Sequence, residues 1–148
     1  MLPLVSIGIP TYNRYDKLKS CLLKLAKQSY SNLEIIISDN CSTDPRIKDF
    51  CNQIQKSDTR IKYFRQLINK GQIPNFNFLL NEFSGKYFLW LSDDDWIDDN
   101  YIEACVTFLE LNSDYASACG KSFNYSEDLK LKYIEKSKSY DSPNQLIR

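Results

Sequence analysis

Short apolar runs punctuate this chain, and most of them stop abruptly at a polar segment. Residues 4–9 run into Pro10, Thr11, Tyr12 and Asn13. Residues 33–38 run into Asp39 and Asn40, and residues 86–91 into Ser92, Asp93, Asp94 and Asp95; a shorter run covers 61–64. Runs of this length, bounded by turn residues, read as buried strands. Between them lie stretches with a helical period. Leu18, Cys21, Leu22, Leu25 and Ala26 share one face of a helix predicted over 17–28, with Asp16 as its N-cap. Pro45 suits the first turn of a helix reaching Lys56. A third helix is predicted over 75–83, with Gly85 as its left-handed C-terminal residue. Ile102, Cys105, Val106 and Leu109 mark a helix over 98–111, with Asp98 and Asp99 in its first turn. Residues 115–119 are expected to add a fifth strand. Strands alternating with helices give an α/β fold with a mostly parallel sheet and flanking helices. Ligands of such sheets bind outside the carboxyl ends of the strands. That rule puts residues 10–13, Asp39–Asn40 and the three aspartates on one rim.

Composition narrows the classes of function. With 148 residues, 43% hydrophobic and 26% charged, the chain is long enough to bury a core without disulfide staples. The expected organisation is a folded unit over 1–120 and a polar, partly disordered arm over 121–148, where Leu129, Leu131 and Ile134 keep only a weak apolar spacing. Basic and acidic residues both number 19, so the net charge is zero and no nucleic-acid partner is expected. No apolar run approaches the ~20 residues of a membrane span, and the N-terminus lacks the regions of a signal peptide. Histidine is absent, which removes His-based triads, His general bases and His-ligated zinc. The five cysteines are odd in number and lack C-x-x-C spacing, so they read as buried free thiols of a reducing compartment, the cytoplasm.

The chemistry sits at the strand ends. Three consecutive aspartates repel one another unless a cation or donors compensate. Mg²⁺ takes one or two carboxylates, with waters and substrate phosphates completing its shell. The competing reading is a solvated turn that caps the next helix. Asp39 can accept from a nucleobase N–H or a ribose hydroxyl, or make an ordinary turn bond to its own loop. Thr11, Tyr12 and Asn13 offer a hydroxyl, a ring and an amide to a base, or simply cap the following helix. Asn69-Lys70-Gly71 lets backbone approach a ligand closely, or is a plain turn that needs Gly.

Taken in order, these pieces resemble glycosyltransferase family 2. Val5-Ser6-Ile7-Gly8-Ile9-Pro10-Thr11-Tyr12-Asn13-Arg14 is similar to that family's first strand and loop. The stretch from Gln28 through Leu33-Glu34-Ile35-Ile36-Ile37-Ser38-Asp39-Asn40 to Asp44 is similar to its second strand and nucleotide-binding segment. Asn69-x-Gly71, Asn77, Gly85-Lys86-Tyr87 and Ser92-Asp93-Asp94-Asp95 keep the family's relative spacing, and the likeness ends near Phe108. The resemblance implies a GT-A fold, of which this chain carries the Rossmann-like nucleotide-binding half, cut short. It implies an inverting transfer from a nucleotide-sugar donor, a UDP-sugar by default, in bacterial-type polysaccharide or glycan synthesis. The acceptor would be a glycan or a lipid-linked sugar, and the site would face the cytoplasm or the inner face of the membrane. Asp39 would contact the base, and residues 10–13, Asn69 and Gly71 would pack around the nucleotide. Asp94 would be the principal ligand of Mg²⁺ or Mn²⁺, with Asp95 as the alternative and Asp93 near the ribose or the metal.

The chain departs from the family pattern in three places. Ser92 stands where many relatives have Asp. Phe76 stands where many have Arg before the matched Asn; Lys70 is either a substitute cation or, the favoured reading, an ordinary exposed turn lysine. No segment after Gly120 resembles the acceptor side, and Glu127, Asp128, Glu135 and Asp141 read as solvated charges rather than a general base. The expectation is therefore a fragment of a longer enzyme, or a non-catalytic nucleotide-sugar-binding domain, that transfers sugar poorly and self-associates as a homo-oligomer. Other α/β classes are excluded by motif: G-x-G-x-x-G and G-x-x-x-x-G-K-[ST] are both missing.

Overall fold

The computed structural model describes residues 1–125 and 130–134. The chain divides into two compact units, Met1–Asp99 and Asn100–Arg148.

The first unit alternates strand and helix: β1 (Val5–Thr11), α1 (Tyr15–Leu25), β2 (Leu33–Asp39), α2 (Pro45–Ser57), β3 (Ile61–Arg65), α3 (Gln72–Glu82) and β4 (Tyr87–Trp90). The sheet runs β3-β2-β1-β4, and every pairing in it is parallel. The chain moves from β1 outward to β3, and α3 then brings it back to the other side of β1. The strand order therefore reverses between β1 and β4, which is where open α/β sheets place their ligand crevice. β1 and β2 are buried along their whole length, as expected of strands covered on both faces. Ile7, Ile9, Ile36, Ile37, Leu18, Leu25, Ile47 and Leu79 are fully buried around them. Each such side chain contributes about 1.5–3 kcal/mol of transfer free energy.

Four sequence expectations give way here. β1 does not close at Ile9 but runs through Pro10 to Thr11. Val5 N–H bonds toward β2, while the Gly8 carbonyl accepts from Leu91 on the β4 side. By alternation Pro10 also faces the β4 side, and the pairing with β4 ends at Gly8, so its missing N–H costs no ladder bond. Asp16 is not the N-cap of α1: Arg14 holds that position without a side-chain cap, and Asp16 lies in the first turn. α3 begins at Gln72, before Pro74, because a proline in the first turn forfeits only an N–H that has no helical partner anyway. Gly85 is not a left-handed cap. It is needed because a Cβ there would stand 2.7 Å from Ser6 Oγ and 2.8 Å from the Leu4 carbonyl.

The foot of the sheet is fastened by a buried carboxylate. Glu34 on β2 accepts from Ser6 Oγ on β1 at 2.7 Å, from Ser84 N–H at 3.0 Å, and from Lys62 on β3. Gly85 N–H donates to Ser6 Oγ at 2.8 Å, so the turn into β4 is tied to the same group.

The second unit contains α4 (Tyr101–Leu111) and an antiparallel pair, β5 (Phe123–Tyr125) and β6 (Leu131–Ile134). Asp98 and Asp99 are not in α4; their carbonyls accept from Gln28 Nε2 and Ser29 N–H, each at 2.7 Å. Residues 115–119 form no strand. Tyr115 N–H closes a turn onto the Asn112 carbonyl, its ring packs edge-on against Phe108, and Gly120 N–H reaches Tyr101 Oη. Within the polar arm the described residues include the antiparallel pair β5 and β6; Leu129, Glu127, Asp128, Glu135 and Asp141 lie outside the described residues. Among the described residues no helix is long and apolar enough to cross a membrane. All five cysteines are free, but only Cys21 and Cys51 are buried.

Candidate functional site

A cavity of about 320 Å³ opens at the carboxyl ends of β1, β2 and β4. Its wall includes Pro10, Thr11, Tyr12 and Arg14 after β1, and Asn40 after β2. Asn69, Gly71, Gln72, Asn75 and Phe76 contribute from the start of α3, and Ser92 and Asp93 from beyond β4. The strand order alone brings these segments together, since β1 pairs with both β2 and β4.

The acidic rim is held by donors. Thr11 Oγ1 donates to Asp93 Oδ2 at 2.7 Å, which ties the end of β1 to the segment after β4. Arg14 Nη1 donates to Asp93 Oδ1 at 3.1 Å and to Asp94 Oδ2 at 3.0 Å. Ser92 Oγ donates to Asp94 Oδ1 at 2.7 Å. Burial pushes the Asp93 carboxyl up, and its bonds to Thr11 and Arg14 oppose that rise only in part. The Ser92 hydroxyl draws Asp94 down, with the Arg14 charge adding to it. Partial desolvation raises Asp95, and the charges of Asp94 and Asp93 raise it further.

The same cavity also carries a set of amides. Asn40 is buried and ties down the Asn69–Gly71 turn: its Nδ2 donates to Asn69 Oδ1 at 2.8 Å and to the Gly71 carbonyl at 3.0 Å, and its Oδ1 accepts from Lys70 N–H at 3.0 Å. Gly71 stands at φ 85°, in the left-handed region that glycine tolerates. Asn75, also buried, accepts from Ser38 Oγ at 2.6 Å and donates to the Ser38 carbonyl at 3.0 Å. Tyr12 and Phe76 supply the aromatic surface of the wall.

The residues marked from the sequence divide into two groups. Pro10, Thr11, Tyr12, Asn69, Gly71 and Asp93 meet around the cavity. Asp39, Asn13, Asp94 and Asp95 are not part of its lining. Asp39 is fully buried beneath it: Oδ1 accepts from Ser42 N–H at 2.8 Å, Oδ2 from Tyr63 Oη at 2.9 Å, and Arg65 lies 3.6 Å away. The partial burial of Tyr63 itself, with its bond to Asp39, pushes the Tyr63 hydroxyl far up. Asn13, at φ 55°, spends its side chain on Thr43 and Asp44, so it organises the loop after β2.

Among the described residues no group of three or more His, Cys, Asp or Glu side chains is arranged to hold a metal. The aspartates are thus not a preformed cage. They do fit a hard divalent cation of the Mg²⁺ type, which needs only one or two protein carboxylates and takes its remaining ligands from water and phosphate.

The sequence profile of glycosyl transferase family 2 matches residues 6–147. This chain belongs to glycosyltransferase family 2. It is 33% identical over 141 residues to the GalNAc(5)-diNAcBac-PP-undecaprenol beta-1,3-glucosyltransferase of Campylobacter jejuni, covering 91% of this chain and 45% of that one. Among solved structures it resembles S. aureus TarS 1–349 in complex with UDP-GlcNAc, with a TM-score of 0.67 and 24% identity over 74% of this chain and 32% of that one. It also resembles the mannosyltransferase PcManGT of Pyrobaculum calidifontis in complex with GDP-Man and Mn²⁺, with a TM-score of 0.66 and 20% identity over 74% of this chain and 33% of that one. The fold is therefore GT-A. The chain spans 18 to 56% of the length of the first curated relatives it matches.

The sequence marks Asn40 only as a rim position beside Asp39 and offers no reading of Arg14, Gln72, Asn75 or Phe76 as lining residues, although all five line the cavity. Arg14 closes the stretch similar to the family's first strand and loop, and nothing in the sequence places it beside residues some eighty positions away. In the sequence Phe76 is distinguished by the arginine it replaces, whereas in the fold its ring lines the cavity. Asn40 follows β2 and Asp39 directly, and its amide can both donate and accept.

Proposed function

We propose that this chain binds the donor of a sugar transfer, a nucleoside diphosphate sugar, in the cavity outside β1 and β4, as part of a glycosyltransferase of bacterial glycan synthesis. The observation that carries this reading is the pairing of an amide and aromatic wall with an acidic rim across one cavity at the switch point of the sheet. The wall suits a base and ribose: Tyr12 and Phe76 present rings, and the Asn69–Gly71 turn presents backbone held in place by Asn40. Thr11 fixes Asp93 at the rim, where a carboxylate can accept from a ribose hydroxyl. Asp39 acts from below, holding Ser42, whose hydroxyl accepts from Asn13 N–H at 2.9 Å, and so sets the two loops that frame the base; it reaches the base itself only where Tyr63 releases Oδ2.

Asp94, with Asp95 as the alternative, would hold Mg²⁺ or Mn²⁺, which supplies Lewis-acid neutralisation of the charge on the leaving diphosphate. UDP is the carrier we favour, in keeping with the UDP-GlcNAc complex of TarS. The acceptor is a hydroxyl of a glycan or lipid-linked sugar, in keeping with the name of the Campylobacter relative. An inverting transfer needs a base within hydrogen-bond reach of that hydroxyl. Asp93, the one carboxylate among the described residues of the lining, is bound to Thr11 and Arg14. We therefore assign donor binding to this unit and the base to residues outside its cavity.

Thermal unfolding with a panel of nucleoside diphosphates, with and without Mn²⁺, tests the reading. A ligand at a hundred times its Kd raises stability by about 2.7 kcal/mol. Wild type should gain with UDP and gain more with Mn²⁺, and Asp94→Ala should lose the Mn²⁺-dependent part. A wild-type protein stabilised by no nucleoside diphosphate would show the reading to be wrong.

A further inference from the structure

Arg14 closes the acidic rim in a particular way. A single nitrogen, Nη1, bridges Asp93 Oδ1 at 3.1 Å and Asp94 Oδ2 at 3.0 Å. The remaining oxygens of both carboxylates already accept from Thr11 and Ser92, each at 2.7 Å. Every carboxylate oxygen of the pair is thus engaged, and one guanidinium offsets part of the pair's negative charge from within the chain. The partners differ in freedom: the Asp93 side chain is 3% exposed, whereas that of Arg14 is 53% exposed. The carboxylate is fixed and the guanidinium is the group able to move. Arg14 also lines the cavity, so it can turn from the rim to an anion there without leaving the site.

We propose that Arg14 is an internal counter-ion that keeps Asp93 and Asp94 closed to divalent cations until a diphosphate takes over the guanidinium. The proposal rests on the donor reading above. A cation arriving alone has to displace Arg14 and leave it unpaired beside a second positive charge, which is unfavourable at such distances. A diphosphate removes that conflict, because a guanidinium pairs with phosphate oxygens through two parallel bonds. Arg14 therefore sets an order, diphosphate before metal, and makes the two ligands bind cooperatively.

Two separate titrations of the full chain test this: UDP in the presence of EDTA by calorimetry, and Mn²⁺ alone by electron paramagnetic resonance. Arg14→Gln should bind UDP about tenfold more weakly and Mn²⁺ alone about tenfold more tightly, in line with the loss of one charged hydrogen bond. The opposite signs separate this role from a structural one, since a damaged site weakens both ligands. Arg14→Gln leaves Asp93 buried with Thr11 alone, so the comparison is repeated in an Asp93→Asn background. There Arg14→Gln should again tighten Mn²⁺ relative to Asp93→Asn by itself. Equal or weaker Mn²⁺ binding on losing Arg14 overturns the counter-ion role while a wild type that binds UDP keeps the donor reading intact. A wild type that binds neither UDP nor Mn²⁺ overturns both.

Discussion

Glu34→Gln should weaken the sheet strongly near neutral pH and hardly at all in acid. Glu34 is buried at the foot of β2, and burial alone would raise its pKa. The hydrogen bonds from Lys62, Ser6 and Ser84 outweigh that and hold it at about 2, against an ordinary 4.5. At 1.36 kcal/mol per unit, a shift of this size corresponds to ~3 kcal/mol. The group's folded pKa is depressed, so its stabilisation is present in full above about pH 4.5 and is lost as pH falls toward about 2. Gln keeps the shape but carries no charge for Lys62 and turns an amide N–H₂ toward donors. At pH 6 the variant should therefore be less stable by roughly 3 kcal/mol, in the range for breaking a buried ion pair. The gap should narrow steadily below pH 4.5 and close near pH 2. Urea unfolding followed by tryptophan fluorescence reads this out, since Trp90 and Trp96 both lie in the first unit. A stability gap that is the same at every pH would refute the argument and leave packing as Glu34's contribution. The consequence for the site is indirect: Glu34 holds Ser84 and, through Ser6, Gly85, and these set where β4 begins and so where Asp93 emerges.

Gly85→Ala should destabilise by ~1–3 kcal/mol as an overpacking change, because the new Cβ meets backbone at 2.8 Å; a melting temperature equal to wild type contradicts this. Asn75→Ala should cost ~1–3 kcal/mol by leaving Ser38 groups unpaired, and should weaken UDP binding as well, since Asn75 lines the cavity; calorimetry with unchanged affinity would separate it from the site. Burial pushes the Cys21 and Cys51 thiols up to about 12, so both should resist a disulfide reagent at pH 8 until denaturant is added, while exposed Cys119 reacts at once; rapid modification of Cys51 in native protein would argue against the described core.

The alternation of strand and helix was legible because β1 and β2 are buried on both faces and so are apolar without interruption. The ends of elements were harder. Pro10 reads as a stop in one dimension, yet it sits in β1 because its strand partner has already left on that side. Gly85 reads as a cap, yet its reason is a neighbouring strand that approaches too closely for a Cβ. Residues 115–119 carry no marker of the turn back to Asn112 or of the Tyr115–Phe108 contact that the fold places there. At the site, segments that directly follow strands were found from the order of the chain alone. The partners of those segments were not, because the Arg14 to Asp93 bond and the Asn40 to Asn69 bond exist only once β1, β2 and β4 lie side by side.

The central claim is that the cavity between the β1 loop, the Asn69–Gly71 turn and the aspartate rim binds a nucleoside diphosphate. An amide-resolved NMR titration of the chain with UDP and Mg²⁺ tests it most directly. The account predicts saturable shifts at Thr11, Tyr12, Asn40, Gly71 and Asp93, with the foot of the sheet around Glu34 and Ser84 unmoved. Shifts confined to residues away from the cavity, or none at saturating UDP, would contradict it.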